Sequence, residues 1–176
     1  MSALVITTNY GIEQDELTEP VKALRDAGIE VTIAAVSSDP IVTLVGDKDP
    51  GEQITPDTTL ADVDPASFDL LVVPGGTINA DQLRVESDAL NIARAFARDG
   101  KTIAAICHAP WLLVEADLTR GKTLTSFQTL ATDVRNSGAT WVDEELVTDS
   151  EDGWTLITSR SPDDLPAFTS AITSAR

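Results

Sequence analysis

Short apolar runs alternate with helical patterns along the chain, and this alternation sets the first expectations. The run "ALVITT", Ala3 to Thr8, reads as a buried strand. After "NYG", Leu17, Val21 and Leu24 recur on one helical face, and Gly28 supplies a stop. "IEVTIAAV", Ile29 to Val36, reads as the second strand. The pattern then loosens from Ser37 to Pro65, a stretch with four prolines and two glycines and strand-like pieces around Ile41 to Val45. It predicts an excursion with a small hairpin. Order returns with "FDLLVVPGG", and then "SDALNIARAFARDG" turns Leu90, Ala93 and Phe96 or Ala97 to the core. The strand "KTIAAI" leads into a helix through Ala116. A strand near "KTLTS", a helix from about Gln128 to Ser137, and the strand-like runs "ELVT" and "WTLITS" follow. "SPDDLPAF" opens a final helix with Ser161 as expected N-cap and Pro162 at its first position. Strands alternating with helices predict βαβ units around a parallel sheet, in one domain spanning residues 1–176.

Composition narrows the partners. The chain has 29 Asp and Glu against 12 Lys and Arg, a net charge of −17 that repels phosphate backbones and anionic membrane surfaces. Nucleic acid as a bulk partner is not expected, and the plain alternative is a highly soluble surface. The single cysteine cannot close an internal disulfide, and "MSALVITTNY" lacks the basic region and long apolar core of a secretory signal. A cytoplasmic location is expected. "TIAAICHAPWLLVEA" is too short for a membrane span and is interrupted by His108 and Pro110, so no membrane association is expected.

The chemistry concentrates in "AAICHAPWLL", which holds the only cysteine and the only histidine, Cys107 and His108. An isolated cysteine is usually a small buried hydrophobe. Here it falls where a buried strand passes into a helix, with Ala105 and Ala109 at the small positions two before and two after it, the spacing of a nucleophile elbow. Pro110 is tolerated in a first helical turn. The start of that helix is expected to lower the thiol pKa, and the N–H groups of His108 and Ala109 are candidates to face an oxyanion. As the lone imidazole, His108 is either a proton carrier or a satisfied structural residue, and metal sites built on two or three histidines are excluded. Glu13, in "NYGIEQDEL", follows the first strand and so lies at the edge where parallel sheets bind ligands. It is a candidate acid for the thiol. Alternatively Glu13, Asp15 and Glu16 simply decorate a helix N-terminus. Gly75 and Gly76, in Pro-Gly-Gly after another strand, either offer oxyanion donors or make a plain tight turn. Trp111 either walls the pocket or fills the core.

The combination of "NYGIEQDELTEP", "DLLVVPGG", "AAICHAPWLL", "NSGATWVDEELV" and "TSRSPDDLPAF" closely resembles the PfpI family of the class I glutamine amidotransferase-like superfamily. The resemblance runs over nearly the whole chain. It implies a flavodoxin-like α/β sandwich of three layers around a mostly parallel sheet, with Cys107 as nucleophile and Glu13 as its carboxyl partner. It further implies that His108 pairs with an acid from a neighbouring subunit, matched by Asp81 in "GGTINADQLR", where the segment is slightly longer and carries Asp for Glu. A homo-oligomer, dimer or larger, follows from that. Ala109 stands where the family more often has Gly. No histidine follows His108, so glutamine hydrolysis by the superfamily's distant-histidine machinery is not expected.

Three activities fit such a thiol. The first is a cysteine-dependent glyoxalase or deglycase acting on methylglyoxal or its adducts. The second is an intracellular cysteine peptidase using Cys107, His108 and Asp81. The third is a redox sensor or chaperone without turnover. Small carbonyl compounds, glycated proteins or peptides are the corresponding partners, and no cofactor or metal is implied.

Overall fold

The computed structural model describes residues 1–175. In chain order, β1 (Ser2–Ile6) is followed by β2 (Tyr10–Glu13), α1 (Gln14–Asp26), β3 (Glu30–Ala35), β4 (Ile41–Val45), β5 (Asp49–Ile54) and β6 (Thr58–Thr59). Next come β7 (Leu70–Val73), α2 (Thr77–Leu83), α3 (Ser87–Arg98), β8 (Thr102–Ile106), α4 (Pro110–Glu115), β9 (Thr123–Leu124) and α5 (Ala131–Asn136). The chain ends with β10 (Thr140–Trp141), β11 (Val147–Asp149), β12 (Leu156–Ser159) and α6 (Leu165–Ser174).

Seven strands form the central sheet in the order β11-β12-β8-β7-β1-β3-β6, parallel throughout except for β11 against β12. Strands buried on both faces read as continuous apolar runs, and period two still decides which side each residue serves. Leu4 and Ile6 of β1 face a core built with Leu83, Ile92, Phe96, Leu112, Leu113 and Val134, whereas Ala3 and Val5 face one built with Leu17, Val21, Leu24, Phe168 and Ile172. Helices therefore cover both faces. This is the flavodoxin-like sandwich expected, and α1 buries the predicted Leu17, Val21 and Leu24.

The chain leaves β1 toward β3 on one side and reaches β7, β8 and β12 on the other. The order thus reverses beside β1, and ligands of open parallel sheets bind where such a reversal meets the carboxyl ends of the strands. The segments after β1, β7 and β8 all emerge there.

Two local expectations are corrected. Ile12 and Glu13, expected in the helical stretch after "NYG", instead end a strand, Tyr10–Glu13, which pairs in parallel with β4, and β4 forms the predicted hairpin with β5 in a separate three-stranded sheet. The expected "KTLTS" strand is present as β9, which pairs with β10 outside the central sheet. Ser161 does not cap the last helix: a tight turn at Pro162–Asp164 precedes α6, and Asp164 instead accepts from the Arg160 N–H and guanidinium.

Candidate active site

Cys107 sits between β8 and α4 with φ of 62°, in the left-handed region that a non-glycine residue enters only when its surroundings force it. The forcing bonds are visible. The Cys107 N–H donates to the Ser159 carbonyl at 3.0 Å on β12, and its carbonyl accepts from Phe127 N–H at 2.8 Å. Small neighbours permit the sharp turn, as Ala105 and Ala109 are both buried. The elbow expected from the alanine spacing is present.

The acid at the thiol is Glu16, three residues beyond the one the sequence pointed to. Glu16 is fully buried on the first turn of α1 and accepts the Gly75 N–H on Oε2 at 2.9 Å. No well-aligned donor reaches Oε1. A Cβ on Gly75 would run into both the Glu16 carboxylate and the Cys107 side chain, so only a glycine lets the acid and the thiol meet over this turn. Burial raises the Glu16 carboxyl to about 8, with the charges of Glu13 and Asp47 adding to the rise. The acid is therefore largely protonated at neutral pH.

Glu13 has another task. Its carboxylate accepts Gly46 N–H at 3.0 Å and Asp47 N–H at 2.8 Å, clamping the β4–β5 turn. Helical spacing explains the exchange: Glu13 is the last residue of β2, and one turn later Glu16 points from α1 to the thiol.

The thiol itself also differs from expectation. Burial pushes its pKa up, and the charge of Glu16 pushes it further, against the lowering effect of the Gly76 N–H. With α4 only six residues long and Cys107 just 4% exposed, desolvation outweighs the helix end. Of the proposed oxyanion donors, the Ala109 N–H is spent on the Ile106 carbonyl at 3.0 Å. The Gly76 N–H instead acts on the thiol, lowering its pKa. Gly76 has φ of 84°, and a Cβ there would strike the Gly11 carbonyl and the Glu13 backbone.

His108 does share a proton path with its neighbour, since Nδ1 lies 3.1 Å from Cys107 Sγ. Its ring stacks on Phe127 at 4.7 Å and meets the Trp111 ring edge-on at 5.5 Å. Burial lowers its pKa, opposed by the charge of Asp47, so the imidazole is neutral at pH 7. Trp111 is half-buried, packs against the core and donates to Asp133 at 2.9 Å, serving the wall and the core together. Within the single chain, Asp81 is exposed on α2 and makes no side-chain hydrogen bond or ion pair among the described residues.

Residues the sequence reading missed hold the frame. Asn79 accepts from the Thr7 hydroxyl at 3.0 Å and the Thr8 N–H at 2.8 Å, and donates to the Pro74 and Gly75 carbonyls. It ties the Pro-Gly-Gly turn to the end of β1. Only its polar character inside an otherwise apolar helical stripe could have flagged it. No cluster of three or more potential metal ligands occurs among the described residues, and no described helix is long and apolar enough to cross a membrane.

Comparison with known proteins follows this geometry. The model of the DJ-1/PfpI family matches residues 1–175. Protein/nucleic acid deglycase 2 of Escherichia coli is 41% identical over 94% of this chain and 91% of its own length. General stress protein 18 of Bacillus subtilis is 37% identical over 94% and 92%. The crystal structure of Drosophila melanogaster DJ-1beta superposes with a TM-score of 0.87 at 34% identity, covering 98% of this chain and 88% of that one.

Proposed function

Because the chain belongs to the DJ-1/PfpI family, we propose that it is a stress-protection enzyme of the deglycase type, acting on methylglyoxal or its early adducts through Cys107. The observation that carries this is the strained elbow that sets a thiol between a protonated acid, Glu16, and a neutral imidazole, His108. That pairing suits a carbonyl carbon. The thiol adds to the aldehyde carbon as its proton passes to His108 and the Glu16 proton goes to the former carbonyl oxygen, giving a hemithioacetal steadied by the Gly76 N–H. Glu16, now a carboxylate, takes the C–H proton from that carbon and returns it to the adjacent keto carbon, while the hydroxyl proton of the hemithioacetal passes through His108 to the keto oxygen. The resulting lactoyl thioester is cleaved by water to lactate, and the thiol is restored. Methylglyoxal and water are consumed and lactate is formed, with no net oxidant. The relatives named deglycase and general stress protein support this reading.

A raised thiol pKa fits an addition in which the proton leaves with bond formation, through His108, better than a standing thiolate. In this reading the working form is a homo-oligomer in the cytoplasm. The exposed Tyr10 and Ile78 flank Gly11 on the face that also carries Asp81. The test is lactate formation from methylglyoxal, and amine release from a methylglyoxal-treated peptide, by wild type, Cys107→Ser and Glu16→Gln. Loss of both in either variant is expected. Equal rates in wild type and Cys107→Ser reject the nucleophile, and peptide-bond cleavage without lactate turns the assignment to a peptidase.

A further inference from the structure

A second acid reaches the elbow through a threonine. His108 Nε2 lies 3.4 Å from the Thr77 hydroxyl and 3.4 Å from that of Thr129. Thr77 is held by one side chain: its N–H donates to Asp47 Oδ1 at 2.9 Å and its hydroxyl donates to Asp47 Oδ2 at 2.7 Å. Asp47 is at the β4–β5 turn with φ of 57°, and its own N–H is fixed by Glu13. A line of groups thus runs from Glu13 through Asp47 and Thr77 to the imidazole and the sulfur.

We propose that Asp47 is a positioning residue: through Thr77 it fixes the His108 proton on Nε2 and leaves the Nδ1 lone pair for the Cys107 thiol. The proposal deepens the reading of Cys107 as nucleophile and rests on it for its catalytic meaning. A threonine hydroxyl has one hydrogen, and an ionised carboxylate has none to give. The 2.7 Å bond to Asp47 therefore commits that hydrogen, and only lone pairs of Thr77 Oγ1 face the imidazole. A neutral ring pairs with them by carrying its proton on Nε2, which leaves Nδ1 as an acceptor 3.1 Å from the sulfur. Thr129 adapts, because its hydroxyl has no other partner among the described residues and accepts from the same N–H. At these distances the threonines orient the ring more than they bind it.

The experiment exploits the single histidine. In protein labelled with ¹⁵N-histidine, the two ring nitrogens report the tautomer directly, without turnover. Wild type is expected to favour the Nε2–H form by a few-fold, because two long threonine contacts together supply less than about one full net hydrogen bond. Asp47→Asn keeps the backbone shape, since Asn tolerates positive φ. Its carbonyl retains the Thr77 N–H, and its amide donates to Thr77 Oγ1. The hydroxyl then turns to Nε2, and the Nδ1–H form is expected to dominate. Thr77→Val should bring the two forms near parity, Thr77→Ser should restore the wild-type ratio, and Asp81→Asn should leave it unchanged. With lactate as readout, Asp47→Asn should lower kcat about 10- to 100-fold with KM unchanged, the scale of one proton-transfer contribution, and Thr77→Ser should recover it. A wild-type Nδ1–H tautomer overturns the proposal. So does an unchanged tautomer in folded Asp47→Asn, or a shift produced by Asp81→Asn instead. Should the tautomer behave as expected while Cys107→Ser remains fully active, the nucleophile assignment fails and the Asp47 assignment stands.

Discussion

Two of the buried ionisable clusters among the described residues are finished differently. At the far side of the sheet, Lys122 is 1% exposed and donates to Asp149 at 3.2 Å and to the carbonyls of Glu151 and Trp154, with its ammonium 4.4 Å from the Trp154 ring. Asp149 in turn accepts from the N–H groups of Thr123 and Glu151. Burial alone would raise that acid, but those donors and the ammonium outweigh it and hold it below its ordinary value. At the elbow, Glu16 is buried even more completely than Asp149 yet meets no cation among the described residues, keeps one oxygen without an aligned donor, and is raised to about 8. A saturated cluster is a staple. One left unfinished beside a strained thiol stores reactivity.

The sharpest way to break the comparison is a crossed pair of substitutions. Cys107→Ser should abolish lactate formation, by roughly 10³-fold or more, while leaving the thermal midpoint unchanged or slightly higher. Lys122→Ala should do the reverse. It leaves Asp149 buried without its cation, at a cost of about 3–5 kcal/mol in urea unfolding, and thiol alkylation in the remaining folded protein should proceed at the wild-type rate. Equal damage to both readouts by either change would erase the distinction between staple and site.

Glu16→Gln sharpens it through pH. The folded carboxyl binds its proton up to about pH 8, whereas the unfolded one releases it near 4.5. Between those values the native state holds more protons, so stability falls as pH rises, by on the order of 1.4 kcal/mol per unit across the window. Gln cannot ionise. The variant should match wild type near pH 4.5 and exceed it in stability at pH 8, while losing lactate formation. A wild-type stability curve parallel to that of Glu16→Gln would show that the acid is not raised.

How far the sequence carried this picture depends on the range of the interactions. The buried strands and the elbow were legible because period, small residues and a proline are local signals: Ala105, Cys107, Ala109 and Pro110 announce the turn by themselves. The Pro-Gly-Gly turn was legible for the same reason, although its purpose, letting Glu16 and Cys107 meet over Gly75, was not. The choice between Glu13 and Glu16 was not local. It turns on β2 being a strand, and β2 exists because it pairs with β4, some thirty residues away. Asp47 and Thr77 were out of reach altogether, since their bond joins the tip of a hairpin in an irregular segment to a helix that follows another strand. Asp81 shows the opposite case, a position matched by resemblance that the single chain leaves exposed and unpartnered.

The smallest expected effect separates the two glutamates. Glu13→Gln retains one acceptor oxygen where the carboxylate offered two, so one of the N–H groups of Gly46 and Asp47 loses its partner. The turn is partly exposed and water takes up part of the loss, so global stability should fall by only about 1 kcal/mol. The consequence is local: the amides of Gly46 and Asp47 should exchange with solvent about tenfold faster, as 1.4 kcal/mol of local opening implies. Glu16 loses a neighbouring negative charge in the same variant, and its carboxyl should therefore ionise at slightly lower pH, because Glu13 contributes to its rise. Thiol alkylation against pH measures that shift at the sulfur, and amide exchange measures the clamp at the turn. If Glu13→Gln instead removed the thiol's reactivity as Glu16→Gln is expected to, the acid assigned to the hairpin would belong to the elbow, and the division of labour within one helical turn would collapse.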